Sequence, residues 1–179
     1  KAYSKLGETF LHTTTYNGFA EESVTALEAL NIMADEQFKN DVEKLSDLLN
    51  LKLQKLNEKH NDKIAEVKGT GILNGIVFKS IYSKLAKLIE LVPLEIIKDK
   101  AFFLQKITAT AISFELYEKY NILTTVNDSA NSNHLWISPS LVVDEKDVNY
   151  FFESLDKVLE NGVSLKTIEI ILNFIKSKV

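Results

Sequence analysis

The chain has 179 residues, 45% of them hydrophobic and 26% charged, enough apolar material to bury a core in one or two soluble domains. Its formal net charge is −4, it has no cysteine, and no long basic stripe interrupts it, which argues against nucleic acid as the main partner, a disulfide framework, thiolate chemistry or a Cys-type zinc site. Neither an apolar run of about 18 residues nor a basic-then-apolar leader is present, so a membrane span is not expected and a cytoplasmic location is the default. All 21 residues of the Lys/Arg class are lysine, so nothing in this chain can grip a carboxylate or phosphate with a guanidinium fork.

The opening KAYSKLGETFLHTTTYNG has no apolar periodicity long enough to begin a fold. It starts on Lys1 rather than methionine, and we expect the chain to be a C-terminal fragment of something longer. Within that opening, HTTTYNG (His12 to Gly18) joins three threonines and an Asn-Gly break to a helix-like run. Hydroxyls and unpaired helical N–H groups can both donate to phosphate oxygens. The same turn also reads as a threonine-capped helix start that holds no ligand.

A helix is expected from Ala20 to about Asp35, and a second from Glu36 to Lys59. In the second, Phe38, Val42, Leu45, Leu49, Leu53 and Leu56 fall at steps of three and four. The charged turn KHNDK ends it. IAEVKGTGILNGIVF reads as two short strands around a Gly-x-Gly turn, whose glycines serve close backbone packing better than phosphate binding, since a strand follows rather than a helix. Ser80 to Val92 reads as an amphipathic helix stopped near Pro93. Ile96 to Tyr120 reads as a longer helix, apolar on more than one face and therefore sandwiched.

NILTTV is then expected as a strand, DSANSN as a polar turn, and HLWISPSLVV as a strand interrupted at Pro139. DEKDVNYFFESLDKVLENG reads as a helix with Asp144 as N-cap and Gly162 just past its end. A final helix is expected from Leu165 to Lys178. The order of elements indicates an α/β (α+β) fold, a small sheet covered by helices. His12, His60 and His134 are scattered, and none forms the i, i+4 pair of a metal site. The acidic pairs Glu21/Glu22 and Asp144/Glu145 sit at helix starts, where the macrodipole accounts for them.

With these elements in place, the chain resembles the C-terminal part of the class III pyridoxal-phosphate-dependent aminotransferases. Four patches carry the resemblance in order: the turn His12, Thr13, Thr14, Thr15, Tyr16; the basic-Gly-x-Gly turn Lys68 to Gly71; HLWISPSLVV in place of a strand ending in Pro-Pro-Leu; and the acidic-start helix DEKDVNYFFESLDKVL. FFLQ at Phe102 to Gln105 and EKYNILTTV resemble members with an added helical insertion. The resemblance implies the C-terminal domain of a fold-type I transferase: 1–35 as the end of the large domain, 36–162 as the small domain with an insertion at about 80–120, and 163–179 as an extra helix.

It further implies pyridoxal 5'-phosphate as cofactor and transfer of an amino group between an amine or amino acid and a keto acid or aldehyde. Thr15, with Thr14 as its nearest rival, takes the place of the family's phosphate-binding threonine, which reaches the neighbouring subunit's cofactor in a homodimer. Trp136 stands where the family has its substrate-carboxylate arginine, and Ser140 replaces the second proline. An indole can stack on an apolar or amine-bearing group but cannot form a charged fork with a carboxylate; it could equally pack in the small-domain core. In the family the Schiff-base lysine lies upstream of the threonine turn, so no catalytic residue is expected in this chain and the chain alone should be inactive. Two further readings stand beside this one. The first is a non-catalytic, degenerate small domain acting as an interaction or dimerisation module through its last helix; the second is a phosphate-ligand sensor built on HTTTYNG.

Overall fold

The structure is a computed structural model that describes residues 20–79, 99–126, 133–164, 167–170 and 173. It divides into two compact units, residues 1–41 and 42–179. In the first, helix α1 (Ala20–Ala34) carries Glu21 and Glu22 in its first turn and buries none of its side chains. Asp35 then breaks the helix and caps the next one, its carboxylate accepting from Phe38 N at 3.0 Å. Helix α2 (Glu36–Lys59) follows, and its apolar stripe buries Leu45, Leu49, Leu53 and Leu56, as the three-and-four spacing requires.

The second unit is a helical layer on one face of a four-stranded antiparallel sheet. Strands β1 (Ile64–Thr70) and β2 (Leu73–Phe78) form a hairpin around Gly69 and Gly71. Gly69 has φ +125°, and a Cβ there would lie 2.1 Å from the Leu73 carbonyl oxygen; Gly71 has φ +61° and open space around it. The first glycine is required by a close backbone approach, the second by turn geometry alone.

Helix α3 (Lys100–Tyr120) begins four residues later than Ile96, because Asp99 is extended and its carboxylate accepts from Phe102 N at 3.0 Å. It is sandwiched as expected, burying Ile107, Ala109, Ala111, Ile112 and Leu116. NILTTV is mostly not strand. Asn121 adopts the left-handed conformation at φ 55° and donates from its backbone to Tyr117 O, and Ile122 N closes on Leu116 O at 3.1 Å. These bonds end the helix and leave only β3 (Thr125–Val126) to pair.

Strand β4 (His134–Ile137) lies between β2 and β3, giving the order β1-β2-β4-β3. It stops before Ser138 and Pro139 and does not resume, since proline has no N–H for a ladder. Helix α4 (Glu145–Asn161) runs between Asp144 and Gly162. Asp144 occupies the N-cap position but makes no side-chain cap bond; its carboxylate pairs instead with Lys146 at 3.0 Å.

Core residues come from every layer: Leu49 and Leu53 of α2, Ile76 and Phe78 of β2, Ile112 and Leu116 of α3, Leu135 of β4, and Phe152 and Leu155 of α4. Of the expected final helix, 167–170 and 173 are helical. The expected helix at Ser80 to Val92 and the turn DSANSN up to Ser132 lie outside the described residues, as does the threonine turn. Among the described residues, no helix is long and apolar enough to cross a membrane.

Candidate functional site

Strand alternation places two kinds of side chain on β4. Leu135 and Ile137 are buried against the helices, whereas His134 and Trp136 point to the opposite face. Trp136 is therefore not a core residue: it is 36% exposed. Its strand partners are Gly75 on one side and Thr125 on the other. The His134 and Trp136 rings lie 4.8 Å apart at 46°. Gly75 makes room for this pair, because a Cβ there would sit 2.6 Å from His134 Cδ2. Burial, and secondly the ammonium of Lys68, lower the pKa of His134 below the usual imidazole range, so the ring is neutral at neutral pH.

Where β4 ends, a cleft of about 250 Å³ opens. Leu49 of α2, Val148 and Phe151 of α4, and Trp136, Ile137 and Pro139 at the strand exit supply apolar walls. Thr124, Thr125, Ser138 and Asp147 supply its polar groups. Thr124 is held in place, its hydroxyl donating to Ser113 Oγ at 2.7 Å. Of the residues singled out in the sequence, the structure places Trp136 on this cleft. Thr14 and Thr15 lie outside the described residues. Asp147 escaped the sequence reading, because an acid in a helix's first turn is fully accounted for by the macrodipole; only the fold brings it to the same cleft as Trp136.

Two polar clusters elsewhere hold elements together. His60, 3% exposed, contacts Asp156 Oδ1 through Nε2 at 2.6 Å, and Lys59 bridges Asp156 and Glu160 at 2.7 Å each. Burial works to raise the Asp156 pKa, but Lys59 and His60 overcome it and the net shift is downward. These contacts tie the end of α2 to the last turns of α4. On α3, Glu115 is 1% exposed. Its Oε1 accepts from Ser164 N at 2.9 Å and from the Thr167 hydroxyl, and its Oε2 lies 2.6 Å from Lys119 Nζ.

The family model described as aminotransferase class III matches residues 2–159. The chain belongs to the class III aminotransferases. A curated relative, the mitochondrial acetylornithine aminotransferase of Candida glabrata, is 37% identical over 68 residues, which make up 38% of this chain and 16% of that protein. Among solved structures, a Bacillus anthracis aminotransferase superposes with a TM-score of 0.61 at 21% identity, covering 90% of this chain and 33% of that one. A transaminase from the marine bacterium Virgibacillus gives 0.59 at 14% identity, covering 94% and 33%. At these identities the solved structures speak for the fold: the sheet and its helices are those of a transaminase segment. The chain spans about a third of the length of these two structures.

Proposed function

We propose that this chain is the end of the large domain and the small domain of a pyridoxal-phosphate-dependent aminotransferase, which moves an amino group between an amine or amino acid and a keto acid or aldehyde. The observation that carries the reading is the class III match over 2–159, together with a formed cleft beside the residue that replaces the family's carboxylate-binding arginine. On this reading 1–35 closes the large domain, 36–162 is the small domain, and 163–179 is an added helix. The whole protein is a cytoplasmic homodimer.

The donor chemistry fits the cofactor. Phosphate contact falls to neutral hydroxyls, Thr15 first and Thr14 second, which can donate to its oxygens. Such a bond to a charged group contributes about 1.5 to 3 kcal/mol. Bound pyridoxal phosphate supplies the electron sink for amino transfer; the protein supplies orientation and electrostatics. This chain's part is to hold the phosphate through Thr15 and to present Trp136 to the substrate. The lysine that bonds the coenzyme belongs to the part of the protein upstream of His12, so the chain alone does not turn over.

The test is amino-transfer turnover by the whole gene product with pyridoxal phosphate, for wild type and Trp136→Arg. Turnover is expected, with the arginine variant gaining acceptance of dicarboxylic keto acids through a restored fork. Absence of turnover with any amine or amino acid donor would favour the interaction-module reading.

A further inference from the structure

We infer that His134 is the positioning residue for Trp136: its imidazole occupies the place over Gly75 that the indole would otherwise take, and so keeps Trp136 exposed on the sheet face away from the helices. This deepens the aminotransferase reading and rests on it in one respect, that the exposed indole then meets a substrate group. The placement of the two rings stands on the strand register and the glycine.

Register comes first. Lys68, Gly75, Trp136 and Thr125 stand directly opposite one another in a row across β1, β2, β4 and β3, so their positions share one face of the sheet. Gly75 contributes no side chain to that row and leaves a gap beside Trp136. A large aromatic directly across from a glycine ordinarily folds over it, because that contact removes apolar surface of both from water. Trp136 is the residue so placed, yet it does not fill the gap. The three nearest atoms to a Cβ built on Gly75 all belong to His134: Cδ2 at 2.6 Å, Cγ at 3.2 Å and Nε2 at 3.4 Å.

His134 is the partner of Val77, one pair along the ladder, and reaches Gly75 on the diagonal, a distance that an aromatic side chain spans. Its ring meets the indole at a centroid separation of 4.8 Å and an interplanar angle of 46°, a tilted contact rather than a stack. The imidazole therefore backs the indole on the Gly75 side, with Thr125 its strand partner on the β3 side. Burial and the Lys68 ammonium keep the imidazole neutral, and Lys68 itself is paired with Glu66 at 3.3 Å, so a flat uncharged ring fills the gap. Trp136 stays 36% exposed, whereas Gly75 beneath the imidazole is buried. An indole held by its neighbour rather than by its own burial is preorganised without being withdrawn from a ligand.

The test reads where the indole goes when the imidazole is removed. Trp136 is the only tryptophan of the 179 residues. Tryptophan emission and its quenching by acrylamide are measured on the whole gene product, with Trp136→Phe as the blank that subtracts any tryptophan elsewhere in it. Removing a ring that merely packed in place would leave the indole looser, with red-shifted emission and stronger quenching. The inference expects the opposite sign for His134→Ala: the indole settles on Gly75, its emission moves to the blue and its quenching constant falls about twofold. His134→Phe, which restores a flat ring over the glycine, should return both readings to those of wild type. Gly75→Ala added to His134→Ala should do the same, because a methyl group then fills the gap. A red shift or no shift in His134→Ala would overturn the inference, as would a His134→Phe protein or a double variant that shows the same blue shift as His134→Ala. None of these readings depends on turnover, so the positioning role and the proposed activity fail separately.

Discussion

Replacing Glu115 by glutamine keeps an acceptor for Ser164 N and the Thr167 hydroxyl but removes the charge that faces Lys119. Burial pushes this carboxyl's pKa up, yet Lys119, Ser164 and Thr167 together bring it down from 4.5 to about 2. A carboxylate displaced that far is worth on the order of 3 kcal/mol of stability at neutral pH. Lys119 is 45% exposed, so solvent screens part of the pairing, and about 2 kcal/mol is the working figure for Glu115→Gln. The pH dependence has a definite sign. Because the folded pKa is depressed, the contribution is complete above the unfolded value of 4.5 and is lost as pH falls through about 2. Urea unfolding of wild type and variant should therefore differ by about 2 kcal/mol near pH 7 and by about half of that or less near pH 3. Equal midpoints near pH 7, or a gap of constant size down to about pH 3, would refute the assignment of Glu115 as a charged clamp on the segment from Ser164 to Thr167.

The hairpin glycines should separate cleanly. Gly69→Ala drives a Cβ into the Leu73 carbonyl and should cost more than about 2 kcal/mol, whereas Gly71→Ala, strained in φ but sterically open, should cost about 1 kcal/mol; similar thermal midpoints for the two would contradict that geometry. Asp156→Asn should loosen α2 from α4 by about 1 kcal/mol, as read by urea unfolding. Its effect should fade as pH falls below the ordinary carboxylate range, because the folded-state pKa of Asp156 is depressed.

Local periodicity made much of this fold readable in advance. The stripe of α2 repeats for many turns, and its leucines are buried as the spacing demands. The β1–β2 hairpin announced itself through Gly69 and Gly71, and α4 through Asp144 and Gly162. Expectations slipped where two local signals competed. NILTTV has strand-forming residues, but Asn121 tolerates the left-handed conformation and gave its backbone to closing α3. Ile96 extends an apolar pattern, but Asp99 offers a better helix start. In HLWISPSLVV the β-branched valines lie beyond a proline that ends the ladder.

The site was legible only in part. Trp136 stood out because a resemblance assigned its position a role, and the alternation of β4 then put it on the exposed face. Asp147 gave no signal, since its proximity to the cleft depends on how α4 meets the end of the sheet. Glu115 and Thr167 are 52 residues apart, and no pattern within one helix announces a contact over that separation. The i, i+4 spacing of Glu115 and Lys119 was visible, but such pairs are ordinarily solvated, and only burial turned this one into a clamp.

The central claim is that HTTTYNG contributes Thr15 to the phosphate site of a pyridoxal-phosphate aminotransferase. Its most direct test is the visible absorbance of coenzyme retained by the whole gene product after dialysis, compared between wild type and Thr15→Val. The account expects wild type to retain a coenzyme band and the variant to lose it at much lower dialysis volumes, since a lost hydrogen bond to a charged phosphate weakens binding about tenfold or more. Retention indifferent to the substitution would remove Thr15 from the site, and a wild-type protein that binds no pyridoxal phosphate would contradict the account as a whole.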